Sequence, residues 1–203
     1  MKPIVLASTS PRRKELLEKL GLEFEIVASD FDESRDQETS PGPPGDLAAK
    51  LSQGKAENVA PLYPDRVVIA ADTLVVCDGE ILGKPHTGAE AARMLRKISG
   101  RAVSVVTGFT VVETVTNRKI SRSTETIVHI KTLSDDEIKS YVKTGEPLDK
   151  AGAFAIQGLG SVLVEKIEGD FFNVVGLPLF NLAEALKEFG INVLTCRPYK
   201  KIP

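Results

Sequence analysis

The chain has 203 residues, 42% of them apolar and 27% charged. That is one large domain or two small lobes with material for a real core, and it excludes a disordered, fibrous or collagen-like chain. Twenty-six basic residues against 28 acidic ones leave a net charge of −2, so no global basic field exists for gripping a nucleic-acid polymer, while a local basic site stays open.

Residues 4–8 read as a short buried strand. Ser10 and Pro11 then open a helix, Ser10 as a cap and Pro11 at the first helical position, where its missing N–H costs nothing. Leu16, Leu17 and Leu20 give that helix one apolar face, and Gly21 ends it. A second strand is expected over 24–28. Residues 30–46 form an acidic loop closed by Pro41-Gly42-Pro43-Pro44-Gly45, after which Asp46 caps a helix to about residue 59, across Gly54. A third buried strand, 67–71, ends at Asp72.

Leu74–Val76, the Asp78-Gly79 turn and Ile81-Leu82 predict a hairpin. Thr87 and Glu90 have capping-box spacing for a helix that stops at Gly100. Paired strands follow over 103–113 and 120–131, joined near Thr116-Asn117. Ser134 and Glu137 predict a second capping box, for a helix ending at Gly145. A hairpin is expected from 161–167 and 171–175 around Gly169-Asp170. Pro178 opens a last long helix, stopped by Gly190, with a strand at 191–195. Hairpins interrupt the alternation, so the expected fold class is α/β with a mixed sheet and flanking helices.

No apolar run approaches the roughly 18–20 residues of a membrane span, and the N-terminal run is too short for a signal peptide. Cys77 and Cys196 form no CxxC pair and read as reduced thiols of a soluble, cytoplasmic protein.

Five segments carry candidate chemistry. Ser8 to Lys14 is a strand, a hydroxyl-rich loop and a helix N-terminus, where free N–H groups favour an anion. Arg12 and Arg13 in that first turn oppose the helix dipole, and a bound polyphosphate would explain them. The plain alternative is a capped helix with solvated arginines. Asp72 followed by Thr73 stands where α/β ligand crevices open, as metal ligand or general base, or simply as the start of a turn. Lys84, between Gly83 and Pro85, suits phosphate, as does Lys55 more weakly; both also read as solvated lysines. Asp32 and Glu33 offer hard oxygens to complete a Mg²⁺ or Mn²⁺ site with Asp72, or belong to a solvated loop. Residues 150–160 hold three glycines and Gln157, whose amide carries both a donor and an acceptor for a nucleobase edge, or form a surface turn.

In their order, Ser8-Thr9-Ser10-Pro11-Arg12-Arg13, Ala70-Ala71-Asp72-Thr73, the DGEILGKP run at 78–85, SGR at 99–101, GEPLDKAGAFAIQGLG at 145–160 and GDFFNVVGLPL at 169–179 resemble the Maf family. The resemblance covers residues from about 6 to about 186. It implies a metal-dependent nucleoside triphosphate pyrophosphatase, a hydrolase of nucleotide metabolism releasing the monophosphate and pyrophosphate. It also implies an elongated, two-lobed single domain over 1–203 with a central cleft, similar to inosine triphosphate pyrophosphatases, and the family commonly forms homodimers. Asp72 matches the family's proton acceptor, and Arg12, Thr73 and Gln157 match its specificity positions. Arg at position 12 and Gln at position 157 are similar to the branch acting on dTTP and UTP.

On that reading Ser8, Arg12, Arg13, Lys55 and Lys84 bind the substrate with Thr73 and Gln157, and Asp72 and Glu33 hold the metal. The alternative is a septum-formation regulator acting by contact instead of catalysis.

Overall fold

A computed structural model of the chain describes residues 2–33 and 42–195. The middle of the acidic loop and Cys196 lie outside those residues. The described chain runs β1 (Ile4–Ala7), α1 (Pro11–Lys19), β2 (Phe24–Val27), α2 (Pro44–Val59), β3 (Val67–Cys77), β4 (Glu80–Leu82), α3 (Gly88–Ile98), β5 (Ala102–Glu113), β6 (Arg118–Ile130), α4 (Asp135–Lys143), β7 (Val164–Glu168), α5 (Phe171–Val175) and α6 (Leu179–Lys187). The strand order is β2-β1-β3-β5-β6-β7, with β4 beside β3. β1 pairs in parallel with β2 and β3, whereas β3–β4 and β6–β7 are antiparallel, so the sheet is mixed as expected.

The chain divides into two compact units. The first takes residues up to Asp72, Gly108–Ser123 and those from Gly176 on; the second takes Thr73–Thr107 and Thr124–Val175. The core of the first includes Val5, Ala7, Val68, Ala70, Val112 and Ala56, the last from α2. The core of the second sets Leu95 and Ile98 of α3 with Val105, Val128, Ile138 and Phe154.

Several expectations are met in detail. Asp78 and Gly79 have φ of 51° and 79°, the paired positive values of a two-residue hairpin turn. Thr87 accepts from the Glu90 N–H at the start of α3. Ser134 and Glu137 complete a capping box at α4, and the Glu137 carboxyl is held down at about 2, first by the Lys131 hydrogen bond and then by the Ser134 N–H.

Other expectations are corrected. Ser10 stands at the N-cap of α1 but its side chain makes no capping bond; instead its N–H donates to Ser8 Oγ at 3.3 Å. α2 begins at Pro44, ahead of Asp46, which lies in its first turn. β3 does not stop at Asp72 but continues to Cys77. A polar pair interrupts the apolar run there, yet both side chains are bonded, so the strand can carry them through its interior. Phe171–Val175 is helical, because the Asp170 carboxylate accepts the Phe172 N–H at 2.7 Å and starts a helix instead of a hairpin. The partner of β7 is therefore β6, with Val128 opposite Ile167. Residues 191–195 hold no strand; the Thr195 N–H closes a turn on Asn192 O at 3.1 Å.

Candidate active site

In the first unit, β1 and β3 run parallel with Leu6 opposite Ile69. The chain therefore leaves β1 at Ser8 near the level at which β3 reaches Asp72. Ser8 is 9% and Asp72 8% exposed. The Asp72 carboxylate accepts from Lys55 Nζ at 2.5 Å, and the same ammonium lies 2.8 Å from Glu33 Oε1. One cationic atom is thus embraced by two carboxylates from different segments.

The sequence explains how the three meet. Lys55 rides on α2, whose buried residues Leu51, Ala56 and Val59 fix it in the unit. Glu33 follows a segment strapped to the same helix. The Asp30 N–H donates to Asn58 Oδ1 at 3.1 Å, Ser29 Oγ donates to that oxygen at 3.1 Å, and the Phe31 N–H donates to Ser29 Oγ at 3.3 Å. A Cβ on Gly54 would stand 2.2–2.6 Å from three atoms of the Phe31 ring. Gly54 is therefore the seat of that ring, one residue before Lys55.

Arg13 closes the cluster. Its Nε donates to Gly176 O at 3.0 Å and its Nη1 to Ser8 Oγ at 3.3 Å. Burial lowers its affinity for the proton, the charges of Asp72 and Glu33 raise it, and Arg12 lowers it. These partners already give Arg13 a reason to stand in the first turn against the dipole. Ser8 Oγ accepts two N–H bonds, and its own O–H is the donor it can offer a phosphate oxygen.

The second unit holds Thr73, Lys84 and Gln157. Thr107 Oγ1 donates to Asn173 O at 2.9 Å and lies 3.0 Å from Thr73 Oγ1. Thr107 has one hydroxyl proton, and a carbonyl can only accept, so the proton shared with Thr73 is Thr73's own. Any further partner of Thr73 Oγ1 must then be a donor or a cation. Asn173 anchors the chain of hydroxyls through Nδ2, which donates to Val105 O at 2.9 Å and Thr126 Oγ1 at 3.0 Å. Lys84 is exposed, in a loop whose Gly83 carbonyl accepts the Gly152 N–H at 3.0 Å. That bond ties its loop to the start of the glycine-rich segment, in which Gln157 is half-buried.

Ser8, Arg13, Glu33, Lys55 and Asp72 are thus brought together, with Arg12 in electrostatic reach of Arg13. Sequence reasoning missed Thr107 and Asn173. Asn173 lies within the quoted motif at 169–179, so its position was available, but not its bonding.

A model of the Maf-like protein family matches residues 3–189. The chain belongs to the Maf family. Its relatives include the dTTP/UTP pyrophosphatase of Methanococcoides burtonii, to which this Maf chain is 52% identical over 95% of its own length and 98% of the other. The dTTP/UTP pyrophosphatase of Desulforamulus reducens is 46% identical over 96% and 100%, and that of Moorella thermoacetica 50% over 95% and 98%. Among solved structures, the Staphylococcus aureus Ham1 protein aligns with a TM-score of 0.53 at 14% identity, covering 94% of this Maf chain and 100% of that one. At so low an identity the likeness speaks for the fold alone, and it agrees with the mixed α/β class. Among the described residues no helix is long and apolar enough to cross a membrane.

Proposed function

We propose that this Maf protein is a cytoplasmic nucleoside triphosphate pyrophosphatase that hydrolyses dTTP and UTP to the monophosphate and pyrophosphate. The observation that carries this reading is the Asp72–Lys55–Glu33 cluster with Arg13 and Ser8 beside it. The name shared by the full-length relatives supports the substrate.

Asp72 is the proton acceptor. A water attacks the α or β phosphorus, its proton passes to the Asp72 carboxylate, and the P–O bond between the two phosphorus atoms breaks. Arg12, Arg13, Lys55, Lys84 and the Ser8 hydroxyl take the triphosphate oxygens. Negative charge concentrates there in the transition state, and cations fixed in advance lower the barrier. Gln157 and neighbouring backbone pair with the pyrimidine edge: O4 needs a donor and N3–H an acceptor, which one primary amide supplies. Thr73, with its proton directed to Thr107, contributes an acceptor.

The donor set fits a divalent cation. Two carboxylate oxygens already converge on the Lys55 ammonium, and Mg²⁺ is commonly held by one or two carboxylates together with substrate phosphates. Asp72 and Glu33 would hold Mg²⁺ or Mn²⁺, which when bound neutralises phosphate charge and makes water more acidic. With a metal held by those carboxylates, Lys55 would serve the phosphates.

Pyrophosphate release is measured across UTP, dTTP, CTP, ATP and GTP with Mg²⁺ or Mn²⁺, with and without EDTA. UTP and dTTP are expected to give kcat/KM values about tenfold or more above the other bases. EDTA is expected to stop turnover, and added metal to restore it. Full activity in EDTA would overturn the metal assignment, and equal rates on all five triphosphates would overturn the base preference.

A further inference from the structure

Gln157 alone cannot tell uracil from cytosine. Cytosine presents an amino donor and a bare N3 acceptor, the reverse of uracil, and a primary amide turned end for end would satisfy it equally well. Discrimination therefore needs the amide and the backbone groups beside it to be held in one arrangement. The loop that carries Gln157 has an anchor able to do this, made of two residues to which no role has been given.

Both ends of the loop are tied to two side chains, the buried Tyr141 and the half-buried Glu146. At its start, the Ala155 N–H donates to the Tyr141 hydroxyl at 3.2 Å. At its end, the Leu159 N–H donates to Glu146 Oε1 at 3.2 Å and the Gly160 N–H to Glu146 Oε2 at 2.8 Å. Burial first, and then the neighbouring Glu146 carboxylate, push the phenol's proton affinity up. The phenol thus keeps its proton, and its oxygen accepts from Ala155. Tyr141 is 6% exposed.

The glycines of the loop are shaped to this anchor. A Cβ on Gly158, which has φ of +70°, would fall 2.0 Å from Glu146 Oε1. A Cβ on Gly160 would meet Ala155 O at 2.4 Å and the Tyr141 hydroxyl at 2.5 Å. The segment is folded back so that residue 160 touches residue 155, with Gln157 between the two pinned ends. A glycine at 158 or 160 is therefore required by the anchor and not by the ligand alone.

We infer that Tyr141 and Glu146 are positioning residues for base selection: they lock the 155–160 loop so that Gln157 accepts uracil or thymine and rejects cytosine. This rests on the proposed base-reading role of Gln157, and deepens it. Replacing Glu146 with Gln keeps the volume but turns an N–H₂ donor toward the Leu159 or the Gly160 N–H, so one tie must break. Replacing Tyr141 with Phe removes the acceptor for the Ala155 N–H.

The test compares kcat/KM for UTP and CTP in Glu146→Gln, Tyr141→Phe and Gln157→Ala, each pair of substrates on one preparation. The ratio is then independent of the folded fraction, so a partly unfolded variant still gives an answer. Both positioning variants are expected to lower the UTP-to-CTP ratio by about tenfold, chiefly through a higher KM for UTP, with kcat changed by less than about threefold. A destabilised but otherwise intact loop would lower both substrates together and leave the ratio alone. If Gln157→Ala relaxes selectivity while Glu146→Gln and Tyr141→Phe keep the wild-type ratio, the positioning inference is wrong. If Gln157→Ala itself keeps the ratio, the base-reading role beneath it fails, a distinct outcome.

Discussion

Asp72→Asn is expected to lower kcat for UTP by about 10²–10⁴-fold, the size of a lost general base, with the fold retained. The substitution is isosteric, and the amide cannot take a proton from water. Lys55 Nζ loses the carboxylate at 2.5 Å but keeps Glu33 at 2.8 Å, so its ammonium is not stranded. The stability cost is therefore that of a single polar bond to a charged group, about 1–3 kcal/mol. Steady-state pyrophosphate release, alongside a urea unfolding curve, measures both quantities. A variant that turns over within a few-fold of wild type sinks the role given to Asp72. The same variant separates catalysis from a septum-formation regulator acting by contact, because a contact role predicts an unchanged cellular effect.

The candidate site was legible in the sequence to the extent that its residues carry chemistry in unusual company. Two arginines in a helix's first turn, an Asp-Thr pair inside an apolar run and an amide among glycines each announce something to explain. Their bonding was not legible. The same Asp-Thr pair suggested that β3 ends at Asp72, because sequence patterns price a polar residue by its own hydration and not by the partner it will find. Lys55 satisfies Asp72, Thr107 satisfies Thr73, and the strand runs on to Cys77. The run FFNVV looks like a strand by composition, yet one carboxylate, Asp170, converts it to helix by receiving a backbone N–H. The capping box of α4, the Thr87 cap of α3 and the Asp78-Gly79 turn were legible because their signals are local and complete within four residues. Tyr141 and Glu146 bond to backbone groups 13 or 14 residues further along the chain, and no local pattern marks such a pair.

Gly108→Ala is expected to produce the largest loss of stability of any single methyl addition considered, about 3 kcal/mol or more, at the upper end of overpacking costs. Gly108 lies inside β5, where a lone glycine signals close approach of another backbone. The structure names that backbone. A Cβ there would stand 2.1 Å from both C and O of Ala48 and 2.4 Å from Ala49 N. No rotamer can relieve such a contact, since the three nearest atoms all belong to the main chain of α2. At Gly54, by contrast, the obstacle is the Phe31 ring, a side chain and not a backbone. The helix cannot move freely either. Ser52 Oγ donates to Ala49 O at 2.7 Å and lies 2.8 Å from Thr110 Oγ1, which in turn lies 2.8 Å from Ser121 Oγ. With Ser52's proton committed to a carbonyl, Thr110 donates to Ser52 and Ser121 to Thr110, a one-way chain fastening α2 to β5 and β6. A shift of α2 strains that chain and carries Lys55, two turns beyond Ala48 on the same face, away from Asp72. Misplacement by about 1 Å costs on the order of 10²-fold in rate. Gly108→Ala should therefore lower the urea midpoint and, at temperatures where the variant remains folded, also lower kcat with little change in the UTP-to-CTP ratio, which is set in the other unit. A variant of wild-type midpoint would show that α2 does not rest on β5 as closely as this contact requires.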